Sequence, residues 1–290
     1  MHRRDFVRGA AGLVLAGSAE AADNAPRFRI GAVTDVHFAD KDDEPPRCFR
    51  ASPAKLRQAV ADFRKAGVDF AVHLGDFTDS GWDSFDTIRP VAAAVPWHFV
   101  LGNMDFSVPS GKKREVAARL GMPSRYYSFA HKDWLFVVLD GNDISVHGWP
   151  DASPEQKAAQ AFHDEKFPAA KLWNGAIGPE QMRWLDDTLA AAGSRKAALL
   201  CHFPLLGSEN ATLWNASEVL SHIEPHACVK LWLNGHDHSG GYAVRAGIHH
   251  LNLKGMVDTQ EPACATLSFY RDRIEVAGFG REPSRTLALR

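Results

Sequence analysis

Five apolar runs in the sequence end in residues of the kinds that bind metals. Asp35 and His37 close VTDVHFAD, Asp76 closes VHLGDFTD and Asn103 closes FVLGNMDF. His202 closes LLCHFP, and His236 and His238 close WLNGHDHSGG. Three of the five pass through a glycine first: Gly75, Gly102 and Gly235. In an extended backbone, residues i and i+2 project to the same side. Asp35 with His37, and His236 with His238, can therefore each offer two groups to one spot, while Cys201 points away from its neighbour His202. A single histidine at a strand end is more often a hydrogen-bonded surface or core group, and Gly-Asp is more often a turn. The ordered set of two aspartates, one asparagine and four histidines points instead to a divalent-metal centre. Mixed nitrogen and oxygen donors favour Mn, Fe or Zn over Mg or Ca. A structural zinc site closed by thiolates is excluded on spacing, because Cys48, Cys201, Cys228 and Cys264 lie far apart with no C-x-x-C.

Such residues need strands to carry them. Buried-type strands are expected at 28–34, 68–75, 95–102 and 196–204, with a hairpin over 126–140 turning at His131 and Lys132. After the run from Val229 to Leu233, four more follow at 241–245, 248–253, 263–270 and 273–279. Helices are expected at 52–67, with Ser52 as N-cap, Pro53 in the first turn and Gly67 as stop, and at 178–193, where Met182, Leu185 and Leu189 keep helical spacing. Early strand–helix alternation and a strand-rich second half give an α/β fold of two mixed sheets packed face to face with helices outside, an α/β/β/α sandwich. The C-terminal ends of strands are where sites assemble in α/β sheets. One domain is expected over 27–290. Within it, 142–177 is rich in Pro, Gly, Trp and charge with little periodicity, and reads as a long excursion capping the site. His73 and His98 lie inside strands and read as core groups.

Composition sets the outer limits. With 290 residues, 45% hydrophobic and 23% charged, the chain is long enough for one large α/β domain. A formal charge of −2 without a basic block gives no nucleic-acid signal. Residues 1–22 differ from the rest: Arg3 and Arg4, a mild Ala/Gly/Leu/Val run, then small residues with Ala19 and Ala21 in an A-x-A pattern. This is the layout of an export leader, and its paired arginines resemble a twin-arginine signal. Its apolar run is too short to span a bilayer. The expected location is periplasmic or otherwise extracytoplasmic, with no membrane anchor once the leader is removed.

The succession D-x-H, G-D, G-N, H, G-H-x-H resembles the calcineurin-like metallophosphoesterase superfamily. From about residue 28 to the C-terminus, the segments FAD, YYSF, NGAIGPEQMRWLDDTL, LWN, NGHDHSGGY, GIHHLNLKG and GFGREPSR are similar to its manganese-dependent ADP-ribose/CDP-alcohol diphosphatase branch. The resemblance implies two divalent ions, Mn before Fe or Zn. One would be held by Asp35, His37 and His238, and the other by Asn103, His202 and His236, with Asp76 bridging them. Asp76, Asn103 and His202 are the candidate catalytic residues. Two divalent ions against two carboxylates leave the cluster positive, which suits a small phosphorylated substrate and acidifies a bound water into a nucleophile. The implied reaction is hydrolysis of a phosphoanhydride or phosphoester bond by a metal-bound hydroxide, with a nucleotide-derived substrate foremost. Phe38, His147, Asn215 and His250 are candidate substrate contacts. A broad extracytoplasmic phosphodiesterase or phosphomonoesterase is the alternative reading, and an inactive metal-bearing binding module is a third.

Two positions depart from the pattern. The diphosphatase relatives tend to carry glutamine where this chain has His37, although histidine is the usual superfamily ligand. More consequential is Met104, which stands where the superfamily usually has a histidine that protonates the leaving oxygen. Methionine has no proton to give, so general-acid assistance worth about 10²–10⁴-fold is missing at that position. The loss matters least when the leaving group is already acidic, such as a phosphate monoester with a second pKa of about 6.

Overall fold

The computed structural model describes residues 25–289, so the leader lies outside the described residues. Two six-stranded mixed sheets form the centre. Their strands are β1 (Phe28–Val33), β2 (Phe70–His73), β3 (Trp97–Phe99), β4 (Tyr127–His131), β5 (Trp134–Val138), β6 (Lys196–Leu200), β7 (Val229–Asn234), β8 (Gly241–Arg245), β9 (Ile248–Asn252), β10 (Ala263–Phe269), β11 (Arg273–Gly280) and β12 (Arg285–Ala288). One sheet runs β12-β11-β10-β1-β2-β3 and the other β4-β5-β6-β7-β9-β8. The strands that lead to metal-ligand residues are mutually parallel: β1 with β2, β2 with β3, and β6 with β7. Their C-terminal ends therefore gather at one edge of each sheet, and no strand of one sheet pairs with a strand of the other.

A seam of aromatic rings joins the sheets. Phe70 of β2 meets Phe136 of β5 at 5.3 Å between ring centroids, and Trp134 of β5 meets Phe269 of β10 at 4.8 Å, both edge to face. Such contacts add to area burial because the electropositive ring edge meets the electronegative face. All five residues of β5 are buried, Trp134, Phe136 and Val138 towards the seam and Leu135 and Val137 towards the outer helices. A strand covered on both faces is apolar throughout rather than alternating.

Outside the sheets lie α1 (Ser52–Ala66), α2 (Ser84–Ala92), α3 (Val116–Leu120), α4 (Pro154–Lys166), α5 (Pro179–Ala190) and α6 (Ala216–Ile223). The helix α1 buries Leu56, Ala59, Val60 and Phe63, a 3–4 stripe, and ends at Gly67 in the left-handed region with φ 65°. Ser52 begins that helix rather than capping it, and its hydroxyl donates to Val36 O at 2.5 Å. Several strands are shorter than the apolar runs suggested. The trailing residues of 68–75, 95–102 and 196–204 leave the ladders to become site loops. The excursion 142–177 contains α4, thirteen residues capped by Ser153, whose side chain accepts from Gln156 N. All four cysteines are free thiols. Among the described residues, no helix is long and apolar enough to cross a membrane.

Candidate metal centre

Four of the seven ligand-type residues follow their strands through a sharp backbone turn. Asp35, His37, Asp76 and His236 all hold positive φ, between 46° and 70°. Non-glycine residues in sparsely populated backbone regions cost on the order of 1–3 kcal/mol each and cluster at functional sites. The glycines between them answer to close approach instead. A Cβ at Gly102 would collide with Asp76, and one at Gly235 would collide with Thr34 and Asp35. These contacts bring the β1, β2, β3 and β7 loops to one place.

Two donor groups result, one of Asp35, His37 and His238 and one of Asp76, His202 and His236. In the first, Nε2 of His37 lies 3.2 Å from Nε2 of His238, and Asp35 Oδ1 lies 3.5 Å from the former and 3.4 Å from the latter. In the second, His236 Nδ1 lies 3.1 Å from His202 Nε2, which is 3.2 Å from Asp76 Oδ2. The opposite nitrogen of every imidazole faces an acceptor. His37 Nδ1 meets Asp79 Oδ1 at 2.9 Å and His238 Nδ1 meets Asp258 Oδ1 at 3.0 Å. His202 Nδ1 donates to Leu74 O at 2.8 Å, and His236 Nε2 donates to Asn174 Oδ1 at 2.8 Å. Because those partners accept, neutral rings carry their protons on the outer nitrogens and turn bare lone pairs inward. Two pairs of facing lone pairs, together with Asp35 Oδ1 and Asn103 Oδ1, both buried without a hydrogen-bond partner, fit a pair of cations.

Asp76 stands between the groups. Its Oδ2 is 3.3 Å from His37 Nε2 on one side and 3.2 Å from His202 Nε2 on the other, while Met104 N donates to Oδ1 at 2.7 Å. Asp35 is held in the same way, with Oδ2 accepting from Thr34 Oγ1 at 2.6 Å and from His236 N at 3.1 Å. Asp105 points away from the centre. It accepts from the backbone N–H groups of Asp76, Phe77, Thr78 and Gly102 and so ties the β2 and β3 loops together. Met104–Phe106 is a single 3₁₀ turn rather than extended chain. In the metal-free protein, burial works against charge on Asp76, yet His202 and His37 hold its carboxyl down at about 2. Burial likewise opposes protonation of His202, but Asp76 and Asp35 push it up to about 9. His238, also against burial, rises to about 10 beside Asp35 and Asp258. His236 goes the other way, pushed down to about 3 by burial and by His202.

The calcineurin-like phosphoesterase profile matches residues 28–240. The chain belongs to that family. Two relatives are named manganese-dependent ADP-ribose/CDP-alcohol diphosphatase. The one from Oryza sativa subsp. japonica is 30% identical over 308 residues, covering 91% of this chain and 95% of its own. The one from Arabidopsis thaliana is 30% identical over 305 residues, covering 89% and 96%. Among solved structures, a dimetal phosphatase from Danio rerio superposes with a TM-score of 0.81 at 25% identity, covering 91% of this chain and all of that one. This calcineurin-like phosphoesterase is thus a hydrolase with two metal-binding clusters suited to two divalent ions.

Around the centre opens a cavity of about 620 Å³. His37, Asp76, Asn103, His236 and His238 line it, with Met104 beside them, while His202 is wholly buried beneath. None of the four candidate substrate contacts is among the residues that line this cavity. Phe38 is packed in the core, since its N–H pairs with Phe77 O and its ring is buried. Asn215 is spent on the backbone of Ile177, donating to its carbonyl and accepting from its N–H. His250 lines a separate small cavity behind the His236 loop. His147, on the excursion, is outside the lining but near enough to the centre for Asp76 to act on it, against the lowering of its pKa by burial.

The residues that orient the ligands escaped the sequence reading. Asp79 was visible as the last letter of VHLGDFTD, and Lys41 Nζ bonds it at 2.6 Å. Asp258 and Asn174 follow no strand, and although Asn174 opens the segment NGAIGPEQMRWLDDTL, nothing in its spacing marks it as a partner of His236. Asp258 sits in a loop fastened by Lys55, whose buried Nζ donates to the carbonyls of Met256, Val257 and Thr259 at 2.6, 2.8 and 2.9 Å.

Proposed function

We propose that this phosphoesterase is a manganese-dependent diphosphatase that hydrolyses the phosphoanhydride bond of nucleotide diphosphate derivatives of the ADP-ribose or CDP-alcohol type. We place its action outside the cytoplasm, after export by the twin-arginine route. The observation that carries the substrate class is Met104. It lines the cavity and pins Asp76 through its N–H, and among the described residues no imidazole outside the ligand set lines the cavity with it. A leaving group that departs unprotonated must be acidic, and the phosphate monoester released from a diphosphate bond is. Similarity to the diphosphatases along nearly the whole chain, and their dependence on manganese as named, support the same reading.

Two divalent ions, bound by Asp35, His37 and His238 and by Asn103, His202 and His236 with Asp76 shared, would supply positive charge at phosphorus and lower the pKa of water. The chain's own groups do the rest. Asp79, Asp258, Asn174 and Leu74 O hold the four imidazoles in the tautomer that binds metal. Arg47, which also lines the cavity, offers a cation to the substrate phosphates. Water adds to one phosphorus, the bridging P–O bond breaks, and a nucleoside monophosphate and a phosphorylated sugar or alcohol leave.

Mature protein stripped of metal, then given Mn²⁺ and ADP-ribose, should release AMP only with the ion present. The leader favours a second reading, a broad phosphoesterase scavenging phosphate outside the cytoplasm. Turnover of diesters and aryl phosphates without AMP release from ADP-ribose would establish that reading instead.

A further inference from the structure

We propose that Trp173 is the surface on which the substrate's heterocyclic base stacks, an assignment that rests on the diphosphatase reading. Among the described residues, five large apolar side chains are exposed: Leu172, Trp173, Tyr242, Val244 and Phe279. Of these, Trp173 alone lines the metal cavity, with 47% of its surface open. An indole left open beside charged ligands is of no use to a phosphate group. It suits a planar, weakly polar ring.

The indole is also held still. Its Nε1 donates to Asn210 O at 3.1 Å, and the same carbonyl accepts from Asn174 Nδ2 at 3.1 Å. Asn174 Oδ1 in turn accepts from His236. One carbonyl therefore fixes both the aromatic wall and the residue that orients a metal ligand, which sets the ring's position relative to the centre. With Nε1 already bonded, the indole has no donor left to read a base edge. It offers its π system, and stacking is tolerant of base identity because every base has a π face. Adenine and cytosine should be accepted alike.

The test uses Mn²⁺-loaded protein and three small probes, AMP, CMP and ribose 5-phosphate, with binding followed by calorimetry and by quenching of tryptophan fluorescence. Trp173→Ala should weaken AMP and CMP by roughly 5- to 150-fold, the range for one stacked base, and leave ribose 5-phosphate unchanged. Trp173→Phe keeps a ring but loses the bond to Asn210, so it should retain most of the affinity. Metal content measured on the same samples should not change. Equal weakening for all three probes, or none for AMP, would overturn the assignment. The two readings fail separately. Unaltered KM for ADP-ribose in Trp173→Ala, with AMP still released, removes the stacking wall and leaves the diphosphatase. A wild-type protein that releases no AMP removes the diphosphatase, while base-selective loss of binding in Trp173→Ala still upholds the wall.

Discussion

The side-chain oxygen of Asn174 accepts the Nε2 proton of His236 across 2.8 Å, and its amide nitrogen is committed to Asn210 O, so the amide cannot turn round. His236 is thereby obliged to present Nδ1 to the centre. Asn174→Ala frees the ring, and outer partners of this kind are worth about 10–100-fold in metal affinity. The loss should fall on the ion held with His202 and spare the one held by Asp35, His37 and His238. Stepwise Mn²⁺ titration followed by calorimetry reads the two events separately. Equal loss in both, or in neither, would contradict the geometry.

Asp76 lies between the donor groups, and its substitution should touch both ions. Asp76→Asn retains an acceptor for Met104 N but removes the charge and leaves an amide where Oδ2 faces His37 and His202. Elemental analysis should find fewer than two ions per chain, and hydrolysis should fall by at least 10²–10³-fold, the order lost when one electrostatic contact to the reacting centre is removed. Full metal occupancy with wild-type rates would show that Asp76 is not shared.

Met104 makes a prediction of selectivity. Met104→His restores a proton donor, so alkyl phosphomonoesters, whose alkoxide leaving group is basic, should gain roughly tenfold or more. Diphosphate substrates should change little. If alkyl esters gain nothing, the missing imidazole does not explain the preference.

The pH dependence has a definite sign. In the metal-free fold His202 sits at about 9 and His238 at about 10, against about 6.5 for an ordinary histidine. Between those values the folded chain binds protons that the unfolded chain has released, so stability falls as pH rises. Their contribution is complete below about 6.5 and disappears as pH passes through the folded values. Metal binding requires those same protons to leave, so the gain from Mn²⁺ should grow with pH. Thermal melts of chelator-treated and Mn²⁺-loaded protein from pH 7 to 10 would check this. A metal-free Tm that is flat or rises across that range would refute it.

The ligands were legible in the sequence because each follows closely on an apolar run that becomes a strand. Strand alternation itself does not pair them: β1 ends at Val33 and β7 at Asn234, Asp35, His37 and His236 hold positive φ, and His236 and His238 fall in different donor groups. What lies away from the strand ends was not legible. Asn174 and Asp258 reach the imidazoles across 62 and 20 residues, over loops with no periodicity. The helix α4 was missed because it buries little beyond Ala159 and His163, leaving no apolar stripe to read. The strand β12 is four residues at a sheet edge with one buried side chain, Leu287. Phe38 followed a site motif so closely that it invited a substrate role, yet its ring turns into the core.

The ligands are divided between the sheets. Asp35, His37, Asp76 and Asn103 follow strands of one, and His202, His236 and His238 follow strands of the other. Since no ladder joins the two and each donor group draws on both, the spacing of the ligands within each group is set by how the layers lie against each other. Phe70, Phe136, Trp134 and Phe269, far from any phosphate, thus act as shims. A change in ring size there slides one plate over the other and detunes the gap at its rim, so a variant can stay folded, keep every ligand and still be out of calibration. Truncation is less forgiving. A fragment ending before β6 carries four ligands and half a vice, with nothing for its jaw to close on.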